Sequence, residues 1–87
     1  MTALELLIKH KEALIDNAQY TLANSSLLIR MFRAAAEEPR DEDEVLHIKS
    51  MLEFIEANDK KTNRFLRRLI RELKSLRATL NDRTPLQ

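Results

Sequence analysis

The stretch DEDEVLHIKSMLEFIEANDKKTNRFLRRLIRELKSLRATL, residues 41–80, decides the fold. Its apolar residues fall at Val45, Ile48, Leu52, Ile55, Leu66, Leu69, Leu73, Leu76 and Leu80. Steps of three and four place them on one stripe of a helix that packs lengthwise on another. Asp59 and Thr62 interrupt the stripe where apolar residues are expected. Asp41 followed by Glu44 is an acidic form of the capping box, and Asp43 also suits a helix N-terminus. At ~1.5 Å per residue such a helix runs roughly 55–60 Å, too long for a compact domain of this size.

Working outward, the residues before this stretch also read as one helix. Thr2 is an N-cap with Glu5 three residues on. The apolar positions Leu4, Leu7, Ile8, Leu14, Ile15, Ala18, Leu22, Leu28, Ile29 and Phe32 form a face wider than a strict coiled-coil seam. Ala34, Ala35 and Ala36 extend it as strong helix formers. Pro39 then removes a backbone donor and disfavours helical geometry at Glu38, so the chain reverses over residues 37–40. The expected architecture is all-α: a single domain over 1–87, with helices at about 3–36 and 41–80 and a fraying tail over 81–87. Folding about residues 39 and 40 pairs positions whose numbers add to about 79. In that register Ala18 lies opposite Lys61 and Thr62, and Ile8 opposite Ile70 and Arg71.

Composition narrows the function classes. The chain has 87 residues with no Gly and no Cys, which argues against hairpin turns, phosphate-cradling loops, disulfides and thiolate metal sites. The N-terminus lacks the basic start and apolar run of a signal peptide, and no stretch is apolar enough to span a bilayer. A cytoplasmic location is the expectation. Residues 1–59 hold six Lys/Arg against twelve Asp/Glu, and residues 60–87 hold nine against two. In a hairpin the acids gather at the turn and Arg64, Arg67, Arg68, Arg71, Lys74 and Arg77 gather at the open end.

Two patterns are candidate sites. The basic run Arg64, Arg67, Arg68 and Arg71 is a footprint for an anionic partner, either nucleic acid or an anionic surface. Phe65 is the one aromatic residue within it, too little for a base-stacking platform, so it reads first as a solvated face. Surplus apolar residues are the stronger signal: Leu7, Leu14, Leu27, Leu28 and Met31 before the turn, with Leu46, Met51, Phe54, Phe65 and Ile70 after it. A two-helix seam does not use them, and contiguous apolar surface marks interfaces. Met51 and Phe54 are three apart on one face. Phe65 is eleven residues beyond Phe54, near the same azimuth. These three, with Leu28 and Met31, are the candidate partner-binding residues, and the protein itself a possible homo-oligomer. His10 and His47 lie at opposite ends of the hairpin and cannot share a metal ion. No nucleophile–base pair is legible, and no catalytic residue, cofactor or metal site is expected.

The opening Met1-Thr2-Ala3-Leu4 and the segment Leu52-Glu53-Phe54-Ile55-Glu56-Ala57, on a chain of this size, resemble the small E-type co-chaperones of type III secretion needle subunits. The resemblance implies a cytoplasmic, non-catalytic helical hairpin. It also implies a partner built of tetratricopeptide-like helices, the two together keeping the needle subunit soluble before export. The reading left beside it is a self-associating helical adaptor, or a binder of nucleic acid or anionic surfaces through the basic end.

Overall fold

The computed structural model describes residues 1–38 and 40–83. Two helices make up the fold, α1 (Ala3–Ala36) and α2 (Glu42–Arg83), packed side by side in a rod of 69 × 17 × 15 Å. The radius of gyration is 19.7 Å, against about 12 Å for a compact domain of this length. The antiparallel hairpin is therefore the architecture of the described residues.

Both helix starts follow from their capping residues. At α1 the box is complete: Thr2 Oγ1 accepts from the Glu5 N–H at 3.1 Å, and Glu5 Oε1 accepts from the Thr2 N–H at 3.4 Å. At α2 only half of the expected box forms. Asp41 Oδ1 accepts from the Glu44 N–H at 2.8 Å, while the Glu44 carboxylate accepts from Arg40 Nη1 at 3.3 Å. An adjacent guanidinium holds that carboxylate more strongly than an exposed backbone N–H does.

Arg40 ties the reversal together. Its Nε donates to the Ala35 carbonyl at 2.9 Å, which also accepts from the Glu38 N–H at 3.3 Å, and Nη2 reaches Glu38 at 3.1 Å. A tightened last turn, with the Glu37 N–H on the Ala34 carbonyl at 3.2 Å, and this side chain together close a helix end that has no glycine. Among the described residues none has positive φ. Pro39, on which the turn is expected to centre, lies outside the described residues. The expected end of the second helix at Leu80 needs correction. α2 runs on to Arg83, because Asn81 and Asp82 face solvent and neither is a breaker. The rest of the expected tail, 84–87, is outside the described residues.

The seam is a strict seven-residue repeat on both helices. On α1 the residues turned inward are Leu4, Ile8, Lys11, Ile15, Ala18, Leu22, Ser25, Ile29 and Phe32. On α2 they are Val45, Ile48, Leu52, Ile55, Asp59, Thr62, Leu66, Leu69, Leu73, Leu76 and Leu80. Alternating steps of three and four are those of knobs-into-holes packing. The buried core among the described residues is thin: Ile8, Ala18, Ile48, Ile55, Leu69 and Leu73, of which Leu69 is fully buried at 1% exposure.

Cross-helix ion pairs show the register, and it differs from a fold centred on Pro39. Lys11–Glu72, Arg33–Glu56 and Glu12–Arg77 join residues whose numbers add to 83, 89 and 89. Seam positions then meet seam positions when their numbers add to about 84: Ile8 with Leu76, Ala18 with Leu66, Ile29 with Ile55. The expected pairings of Ile8 with Ile70 and Ala18 with Thr62 are displaced by more than a turn. The cause is that α2 begins beyond the end of α1, so its first turn belongs to the cap and not to the seam. Ser25 and Asp59 fall at one level in this register. The weak, polar layers of the two helices still coincide.

Candidate interaction flank

The ion pairs also distinguish the two flanks of the rod. Glu12, Arg33, Glu56 and Arg77 each directly follow a seam residue, namely Lys11, Phe32, Ile55 and Leu76. In an antiparallel pair, positions that follow the seam on one helix meet their equivalents on the other. This flank carries two ion pairs, Arg33 Nη2 to Glu56 Oε1 at 3.3 Å and Arg77 Nη2 to Glu12 Oε2 at 3.8 Å, with Ile70 as an exposed apolar residue beside them.

Positions that directly precede a seam residue line the opposite flank. On α1 they are Leu7, Leu14, Thr21, Leu28 and Ala35, and on α2 Glu44, Met51, Asn58, Phe65 and Glu72. Leu7, Leu28 and Phe65 are exposed, while Leu14 and Met51 are half-buried. Met31 and Phe54, each three residues further along, widen the same flank, and Phe54 is 67% exposed. All five expected partner-binding residues, Leu28, Met31, Met51, Phe54 and Phe65, thus come together on one side of the rod. Leu7 and Leu14 belong with them. Their spacing of seven from each other, and of fourteen from Leu14 to Leu28, was the signal available in the sequence.

One ion pair is held differently. Lys11 is a seam residue, and its Nζ donates to Glu72 Oε2 at 2.6 Å along the edge of the apolar flank. Arg68 adds a contact to the other oxygen of Glu72 at 3.7 Å. The Lys11 hydrogen bond, with the charges of Lys11, Arg68 and Arg71, holds the Glu72 carboxyl below its ordinary value of 4.5 against a smaller opposing effect of desolvation. Asp59 has no such help. Its Oδ1 is buried without a hydrogen-bond partner, while the neighbouring seam hydroxyl of Thr62 donates to the Asn58 carbonyl at 3.0 Å.

The expected anionic-partner patch is also contiguous. Lys61, Arg64, Arg67, Arg68 and Arg71 line an open groove of about 810 Å³ on the outward face of α2, with Phe65 and Ile70 as its apolar part. The Arg68 guanidinium sits 5.3 Å from the Phe65 ring centre, a cation–π distance. Phe65 therefore stands at the border between the apolar flank and the basic face.

Among the described residues no group of three His, Cys, Asp or Glu could hold a metal ion. No helix among them is long and apolar enough to cross a membrane. Comparison with protein-family models, with curated proteins and with solved structures gives no match.

Proposed function

We propose that this chain is a non-catalytic protein-binding module, a helical co-chaperone of the kind the needle-subunit resemblance implies, acting in the cytoplasm. One observation carries the reading: the hairpin has one flank bridged by two ion pairs and one on which Leu7, Leu28, Met31, Phe54 and Phe65 stand exposed. The accessible surface is 7120 Å², while a compact monomer of this mass exposes about 5,300 Å². An amphipathic helix laid along the apolar flank, contacting Leu28, Met31, Met51, Phe54 and Phe65, completes a three-helix core in the helix-in-groove mode. A tetratricopeptide-like partner supplies helices of that kind.

The test is capture from the native host with the intact chain, followed by identification of the bound proteins, alongside the double variant Phe54→Ala/Phe65→Ala. Support consists of an α-helical partner lost in the variant. Recovery of no protein, or of one retained unchanged by the variant, sinks the reading.

The basic groove favours a second reading, in which Arg64, Arg67, Arg68 and Arg71 bind a polyanion. Titration with duplex DNA and with anionic vesicles at two salt concentrations separates the two, because phosphate contacts by these cations make affinity fall steeply with salt.

A further inference from the structure

The apolar flank is symmetric about its own middle. Thr21 on α1 has Leu14 seven residues before it and Leu28 seven after. Asn58 on α2 has Met51 seven before and Phe65 seven after. Thr21 and Asn58 stand at the same height: flank positions on this side meet when their numbers add to about 79, five fewer than the seam and the mirror of the 89 on the ion-paired side. Both helices therefore read apolar, polar, apolar around one level of the rod. The Thr21 hydroxyl donates to the Asn17 carbonyl at 2.9 Å, so it needs no partner at that level.

We infer that in the free protein a second copy of this chain covers this flank, lying antiparallel in a two-fold four-helix bundle. A two-fold interface is isologous and must be self-complementary. An axis across the rod at the Thr21 and Asn58 level satisfies this. It brings Leu14 onto the second copy's Leu28, and Met51 onto its Phe65. Glu44 and Glu72 also exchange, and each already has a cation in its own chain, Arg40 for Glu44 and Lys11 for Glu72.

Charge selects the antiparallel direction. Glu37, Glu38, Asp41, Glu42 and Asp43 cluster at the turn, and the Lys and Arg residues cluster at the open end. A covering partner must be basic over the turn and acidic over the open end. The same chain reversed presents that distribution, whereas a parallel copy sets like charge on like. Area agrees as well. The surface in excess of a compact monomer is about 1,800 Å², more than the roughly 800 Å² that each member of a standard interface buries.

The dimer is a property of the free protein and stands independently of any foreign partner, which would compete with it for the same flank. Sedimentation equilibrium of the intact chain is expected to give twice the 10.2 kDa chain mass; a monomer at all concentrations overturns the inference. Orientation is read by cross-linking, since the chain has no native cysteine. Thr21→Cys and Asn58→Cys, both at exposed positions, are each expected to cross-link to their own copy with a short bismaleimide. Leu7→Cys is expected to cross-link only when mixed with Ala35→Cys. Self-cross-linking by Leu7→Cys, or a dimer in which neither Thr21→Cys nor Asn58→Cys cross-links, overturns the antiparallel arrangement. Phe65→Lys, checked for helicity by circular dichroism, is expected to shift the mass to monomer; a helical variant that remains dimeric places the interface elsewhere.

Discussion

The two flanks of this rod come from the same two helices and the same seam, and they differ by one position in the repeat. On one flank, two pairs of charged residues that follow the seam bridge it, Arg33–Glu56 and Glu12–Arg77, with the exposed Ile70 also on that side. Those that precede it on the other side include the apolar Leu7, Leu14, Leu28, Met51 and Phe65, interrupted by Thr21 and Asn58 and bounded by Glu44 and Glu72. Surface ion pairs of this kind contribute little stability. They satisfy the charges on their flank, while the other flank keeps Leu7, Leu28, Met31, Phe54 and Phe65 exposed. In a two-helix protein, the closed side shows what the chain does with a surface it leaves to solvent. The open side is the exception, and exceptions of this size mark contacts.

The comparison breaks most readily at the seam that both flanks share. Leu69→Ala removes the one side chain fully buried among the described residues and is expected to cost about 3 kcal/mol. In a core this thin that unfolds much of the chain, seen as lost helicity at 222 nm. Retention of full helicity would mean that stability comes from outside the seam.

On the open flank, Phe54→Ala and Phe65→Ala are expected to leave helicity of the isolated chain nearly unchanged. Each should weaken partner binding by about 2 kcal/mol, roughly 30-fold in Kd. Calorimetric titration against the captured partner measures it. Parallel loss of helicity and binding would assign these rings to the core.

Asp59→Leu sharpens the same contrast from within. It replaces a carboxylate whose Oδ1 is buried and unpaired with the residue type the repeat calls for, and is expected to stabilise by about 1–2 kcal/mol in urea denaturation. A destabilised variant would show that the polar layer with Ser25 is needed for the register.

The smallest effects belong to the ion pairs. Arg33→Ala is expected to cost less than about 1 kcal/mol, and less again at high salt. Lys11–Glu72 is the one pair with a pH signature. The folded carboxyl titrates below its ordinary value of 4.5, so its stabilising contribution is complete above that pH and is lost as pH falls below it, through the folded value. Melting temperatures between pH 6 and pH 3 for the wild type and Lys11→Met check the sign. The difference between the two should shrink on acidification.

Much of this was legible in the residues. Thr2 and Asp41 mark the two helix starts as expected, because a cap is a local bond between neighbours three residues apart. The surplus apolar residues Met51, Phe54, Phe65, Leu28 and Met31 could be listed from spacing alone. Their gathering on one flank could not, since it depends on which side of the seam the other helix occupies. The half-formed box at Asp41 was hidden for a similar reason: Arg40 competes for Glu44, and that competition is decided by the geometry of the turn.

What the sequence determines by itself is periodic and local: two long helices, one reversal, their caps, and an apolar stripe broken at Asp59 and Thr62. Only the tertiary structure decided the register, with seam numbers adding to about 84. A seven-residue repeat matches its partner equally well after a slide of one full repeat. The length of the connection and the reach of Lys11, Arg33 and Arg77 across the interface choose between such slides, and neither is a periodic property. From that register follow the pairing of Glu12 with Arg77, the common level of Thr21 and Asn58, and the division of the rod into a closed flank and an open one.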